Sequence, residues 1–152
     1  MKGFYQGCPV VDDLISSDNP HVMLLQEHWL TPANMSTFDS HFVNCFSFGK
    51  SAMTDSVSSG MLRGRPYGGV ITLIRNDLRK YVETVYCDDR YVVVRVANYL
   101  LINVYLPCIG TPGRLLICED IIMNISLWCE RYTDCKVVVD LANSSDATLL
   151  TV

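Results

Sequence analysis

Three side chains fall where runs of apolar residues would leave a functional group at a strand end. Glu27 closes the run VMLLQ (22–26). A carboxylate placed straight after a buried strand can serve a hard cation such as Mg²⁺. Taken alone, it reads more simply as a solvated glutamate at an edge, since one carboxylate does not make a metal site. Tyr105 lies near the end of LLINVYLP (100–107), before Leu106 and Pro107. There its hydroxyl could meet a phosphate oxygen, or its ring could pack into the core. Asp140 follows the valines of CKVVVD (135–140) and is a second carboxylate at a strand end. Glu27 and Asp140 converge only if their strands are neighbours, which spacing leaves open.

Other chemistries find less support. His21, His28 and His41 show no H-x₃-H or H-E-x-x-H spacing, so they read as surface or satisfied core residues and not as zinc ligands. Serine-nucleophile, P-loop and dinucleotide-binding motifs are absent. Arg63 and Arg65 in MLRGRPYGG could touch phosphate, against the plainer reading of a solvated loop. The seven cysteines form an odd set without a C-x-x-C pair, and the start MKGFYQGCPVVDDL has no continuous apolar segment of a signal peptide. Both features predict reduced, mostly buried thiols in an intracellular, non-secreted protein. The sequons at Asn34, Asn124 and Asn143 then carry little weight.

The elements that must position these residues follow from composition and pattern. The chain has 152 residues, 49% hydrophobic and 18% charged, enough for one domain with a substantial core. Charge falls below the ~25% usual for a soluble domain, which suggests extensive buried strand. A net charge of −4 and a pI near 5.2 give no overall basic field for nucleic acid, although a metal supplies positive charge locally. Residues 91–110 form the most apolar stretch, but Arg95, Asn98 and Asn103 interrupt it, so it reads as two strands and not as a membrane span.

Along the chain, residues 9–17 predict a short helix with Pro9 near its start. Residues 21–27 and 41–49 predict strands, the second from the alternation of Phe42, Phe46 and Phe48 with smaller residues. Residues 50–68 read as loop. Four closely spaced β-branched runs, 68–75, 81–87, 91–97 and 100–107, predict a largely antiparallel sheet. Thr111 and Pro112 predict an N-cap and first position of a helix ending near Arg131. Its apolar stripe is Leu115, Cys118, Ile122, Ile125 and Cys129, with Ile121 and Trp128 beside it and Asp120, Asn124 and Arg131 opposite. Residues 135–140 form a last strand. The class is α/β, mostly antiparallel sheet with flanking helices.

The ordered set LLQEHWL (24–30), RPYGGVITLIR (65–75), INVYLPC (102–108) and KVVVD (136–140) resembles the endonuclease/exonuclease/phosphatase superfamily. More narrowly it resembles the apurinic-type endonuclease domain of LINE-type non-LTR retrotransposons. The segment His28–Trp29–Leu30 leans toward that branch and away from the inositol-phosphate and sphingomyelin phosphodiesterases. The resemblance implies a four-layer α/β sandwich, Mg²⁺- or Mn²⁺-dependent phosphodiester hydrolysis and DNA as partner. It makes Glu27 the metal-binding glutamate, Tyr105 the phosphate-contacting tyrosine and Asp140 a candidate catalytic carboxylate.

Departures from the pattern set further expectations. The family's first strand, ending in a metal-site asparagine, precedes the point where MKG begins. Its G-D-x-N appears here as VVVDLANSSD, either shifted onto Asp140 and Asn143 or lost, and the reading favours loss. Its S-D-H is not reached. Residues 1–152 are therefore expected to form one incomplete domain, impaired or inactive as a nuclease and prone to self-association through exposed sheet edges. The alternatives are a non-catalytic remnant and a binding module that uses the Phe42/Phe46/Phe48 strand.

Overall fold

The computed structural model describes residues 3–60, 66–142 and 150–151. Its elements are α1 (Phe4–Asp18), β1 (Val22–Gln26), α2 (Thr37–His41), β2 (Cys45–Lys50), α3 (Thr54–Ser58) and β3 (Val70–Arg75). There follow β4 (Val82–Cys87), β5 (Tyr91–Val96), β6 (Tyr99–Tyr105), α4 (Arg114–Arg131), β7 (Lys136–Ala142) and β8 (Leu150–Thr151). Arg63, Arg65 and Asn143 lie outside the described residues.

Two four-stranded sheets form, in orders β2-β3-β1-β8 and β4-β5-β6-β7. Every pairing is antiparallel except β6 with β7, where α4 makes the crossover that a parallel pair requires. Alternation decides what each face buries. On the first sheet, Met23, Leu25, Ile71 and Leu73 pack under α1 and α2 with Phe4, Val11, Phe38 and Phe42. Their neighbours Val22, Leu24, Val70 and Ile74 face the second sheet and meet Val92, Val94 and Leu101. The far side of the second sheet, with Val93, Leu100, Ile102 and Val104, packs against Ile121 of α4. Helix, sheet, sheet and helix give the expected four-layer α/β sandwich.

Local differences from the sequence reading have identifiable causes. Helix α1 starts at Phe4 and carries Pro9 within it; Pro9 lacks the N–H that would bond the Tyr5 carbonyl, and it lies on the exposed face, where solvent can serve that carbonyl. The strand expected at 41–49 starts only at Cys45, because Phe42 N–H donates to Phe38 O (2.9 Å) as α2 ends and its ring turns into the core. The loop expected at 50–68 includes α3. Thr111 does not cap α4: its hydroxyl meets Cys108 Sγ at 3.3 Å, and the N-cap is Gly113 at φ 69°.

The stripe of α4 is also rotated. Leu115 and Ile122 are exposed, whereas Ile117, Ile121, Ile125 and Trp128 face the sheet. Apolar residues occur all round this helix, so periodicity admits more than one stripe. The Trp128 ring, 5.8 Å from that of Tyr86, marks the one that packs. All seven cysteines are free, but only Cys8 and Cys45 are buried, so the thiols are less sheltered than expected.

Candidate phosphodiester site

The C-terminal end of β1 faces that of β6, and the contact between them is polar. Gln26, Asn103 and Asp140 point from β1, β6 and β7 into the space between the sheets and are all buried. Gln26 Nε2 donates to Asn103 Oδ1 (2.5 Å) and to Asp140 Oδ2 (2.6 Å). Asn103 Nδ2 donates to the carbonyls of Leu25 (3.2 Å) and Ile71 (2.9 Å). Polar groups this deep persist because they satisfy one another. Asp140 has its pKa raised by burial, a shift that the Gln26 hydrogen bond opposes.

One residue beyond Gln26 and two beyond Asn103, Tyr105 OH donates to Glu27 Oε1 at 2.5 Å. Glu27 is only half-buried and Tyr105 is 6% exposed. Burial, then the bond to Glu27 and its charge, raise the phenol's pKa, so it is a protonated donor at neutral pH. Tyr105 N–H donates to Arg90 O (2.8 Å), which holds Arg90 beside it with the guanidinium carbon 5.8 Å from the ring centroid.

Glu27 owes its direction to an unusual backbone. It has φ 60° and Trp29 has φ 58°, values rare for bulky residues. Four hydrogen bonds clamp them: Glu27 N–H to Gly69 O, Trp29 N–H to Gly68 O, Gly3 N–H to Glu27 O and Phe4 N–H to His28 O, at 2.7–3.0 Å. Between them His28 is wholly buried, its Nδ1 accepting from Leu30 N–H (3.0 Å) and its Nε2 donating to Lys50 O (3.3 Å). Burial lowers its pKa to about 4, so the imidazole is neutral. Gly69 is required here: at φ 90°, a Cβ would stand 2.2 Å from His28 Nε2.

Of the residues singled out from sequence, Glu27 and Tyr105 meet directly, and Asp140 joins them only through Gln26. His21 and His41 are surface residues, the latter 3.0 Å from Asp12. His28 is the satisfied core histidine that the sequence reading allowed, whereas Gln26, Asn103 and Arg90 were not anticipated. The signal for the first two was available, since a lone amide in an otherwise apolar strand must find a partner.

Among the described residues no three His, Cys, Asp or Glu side chains gather as a metal cluster. Mg²⁺ does not require one: it takes one or two carboxylates, keeps several waters and binds substrate phosphate. The half-exposed Glu27 carboxylate, with Oε1 already oriented by Tyr105, fits that mode.

The two stacked sheets with outer helices form a four-layer α/β sandwich whose fold is shared with solved structures. Comparison with solved structures finds a variant of the 3′ phosphatase NExo from Neisseria bound to product DNA hairpin, at 16% identity and TM-score 0.62, covering 92% of this chain and 53% of that one. A 3′-5′ exonuclease, NExo from Neisseria meningitidis, matches at 17% identity and TM-score 0.61, over 92% and 54%. A humanized D. rerio TDP2 matches at 12% identity and TM-score 0.52, over 95% and 57%. This chain thus spans about half the length of these structures. No protein-family profile and no curated protein matches it. Among the described residues, no helix is long and apolar enough to cross a membrane.

Proposed function

We propose that this chain is a metal-dependent phosphodiesterase domain acting on DNA, of the LINE-type endonuclease kind. The observation that carries the reading is the Glu27–Tyr105 pair at facing strand ends. Glu27 would hold Mg²⁺ or Mn²⁺, which when bound neutralises phosphate charge and stabilises the leaving oxygen. Tyr105, kept protonated, turns its hydroxyl from Glu27 to a phosphoryl oxygen of the bound strand. Water attacks phosphorus, the bond to one ester oxygen breaks, and a phosphate monoester and a hydroxyl result.

Asp140 is the carboxylate assigned to orient that water. It lies behind the pair, 3% exposed, with Oδ2 taken by Gln26. So little of the residue reaches solvent that water has poor access to it, which supports a slow enzyme. The LINE assignment itself rests on the order of Q-E-H-W-L, G-G-V and N-V-Y-L-P in the chain.

A second reading, a non-catalytic nucleic-acid-binding module with the same fold, is favoured by the burial of Asp140, whose Oδ2 already accepts from Gln26. Nicking of supercoiled plasmid in Mg²⁺ decides between them. Nicking by the wild type that disappears in Glu27→Ala and in chelator supports the enzyme. DNA binding by folded protein without nicking supports the module. Neither binding nor nicking removes both.

A further inference from the structure

Beside the Glu27 strand end lies a mostly apolar cavity of about 290 Å³, lined among others by Phe4, Tyr5, Gln6, Trp29, Leu30 and Pro66. We propose that it receives an unstacked nucleobase of the strand whose phosphate sits at Glu27, with Trp29 as the stacking surface. The inference rests on the phosphodiesterase reading and adds the form of the substrate: DNA that is single-stranded, or locally opened, at the site.

Three observations carry it. Trp29 is two residues from Glu27 on a segment clamped at both ends, so base and phosphate sites are fixed relative to each other. Its backbone is held at φ 58°, a conformation that costs a bulky residue energy and persists only where the surroundings impose it. The indole lies against Gly3, where a Cβ would be 2.6 Å from the ring, so the N-terminus of α1 is shaped around this side chain. A packing role alone does not explain an indole placed at such backbone cost and left only half-buried at a cavity wall. Tyr5, 78% exposed and edge-on to Phe4 at 5.4 Å, adds a second ring, and the Gln6 amide offers both a donor and an acceptor to a base edge. Stacking on aromatic rings is how proteins hold unpaired bases without sequence preference.

The chain has two tryptophans, Trp29 and Trp128, so Trp128→Phe leaves Trp29 as the sole reporter. In chelator, a short single-stranded deoxyoligonucleotide is titrated while anisotropy and tryptophan emission are followed. An all-abasic oligomer of equal length is the comparison. The expected result is saturable quenching by the base-bearing strand only. In an otherwise wild-type chain, Trp29→Ala should weaken binding by roughly 5- to 150-fold, the span of one base–aromatic stack, with Trp29→Phe recovering most of it. If Trp128→Phe does not fold, the Trp29 series carries the test by anisotropy alone. Binding without Trp29 quenching, or equal affinity for the abasic strand, overturns the base site but leaves the phosphodiesterase reading intact. No binding of any oligonucleotide also overturns the base site, while the phosphodiesterase reading stands or falls separately on plasmid nicking in Mg²⁺.

Discussion

Glu27 and Tyr105 are 78 residues apart in sequence, yet they share a 2.5 Å hydrogen bond between the two sheets. The bond depends on register: Gln26 and Asn103, one and two residues earlier on the same strands, are joined behind it at 2.5 Å. The outer pair can exchange partners with a ligand, whereas the inner pair is buried and fixed.

The outer pair should therefore be separable from stability. Tyr105→Phe removes the hydroxyl but keeps the ring, and should leave unfolding free energy within about 1 kcal/mol of wild type. Plasmid nicking should fall by about 10²–10³, the usual consequence of losing one transition-state donor. Glu27→Gln still accepts from Tyr105 but loses its charge, and should abolish Mg²⁺-dependent nicking with the melting curve unchanged. Equal nicking by wild type and Tyr105→Phe would remove the tyrosine from the chemistry.

The inner pair should behave in the opposite way. Asn103→Leu deprives the Leu25 and Ile71 carbonyls of a donor and Gln26 of an acceptor in a site with no solvent access. A cost of roughly 2–4 kcal/mol is expected, seen as a lower urea midpoint at constant slope. Asp140→Asn can still accept from Gln26 through its carbonyl oxygen and should cost less. A larger loss for Asp140→Asn than for Asn103→Leu would show that the carboxylate charge, and not the amide network, holds the sheets in register.

Much of this architecture was legible because strand alternation and β-branched runs encode burial directly: β1, β3, β5 and β6 fall close to where VMLLQ, VITLIR, YVVVRV and LLINVY place them. Helix α4 was harder, since Leu115, Ile121 and Ile122 are chemically similar and only contacts made elsewhere in the chain choose among them. Glu27 and Tyr105 could be singled out at strand ends, but their meeting could not, because it depends on how two sheets stack. The placement of Trp29 was invisible for a related reason: positive φ is a property of the folded backbone and leaves no mark in residue type when the residue is tryptophan.

His28 makes stability depend on pH. Its folded pKa of about 4 lies below the ordinary 6.5, so between these values the unfolded chain binds more protons than the folded one. Stability is then complete above about pH 6.5 and declines as pH falls toward 4, by on the order of 3 kcal/mol for this group. Carboxylates titrate in the same window, notably Asp89, whose pKa burial and Asp88 raise to about 6. The test is accordingly a difference: the stability–pH curve of wild type minus that of His28→Gln should retain this slope. Parallel curves for the two proteins would mean that His28 does not govern it.

Arg90 should contribute to DNA affinity through charge. Its backbone carbonyl anchors Tyr105 and survives truncation, so Arg90→Ala removes the charged side chain but keeps that anchor. The plot of log affinity against log salt should become shallower by about one, as for loss of a single phosphate contact. Lys136 provides a control, since it pairs with Tyr99 at the opposite end of β6 from Tyr105. Lys136→Ala should leave the slope unchanged; equal changes from both substitutions would indicate a diffuse field instead of a contact at the site.

The edges of the two sheets differ in a way that bears on assembly. At the β2 edge, Asp39 accepts from Ser47 N–H (3.1 Å) and from its hydroxyl (2.7 Å), which places a charge across the strand. The β7 edge instead presents Val137, Val139 and Leu141, 40%, 38% and 54% exposed, on the side of the sheet that α4 covers elsewhere. An apolar edge strand is a template for another strand, and a second copy of this chain offers the same surface in return. Sedimentation velocity should show concentration-dependent self-association of the wild type. Val139→Lys places a charge in the middle of that row and should shift the protein to monomer without lowering its melting temperature. A wild type that remains monomeric over the same concentration range would show that β7 is not a self-pairing edge.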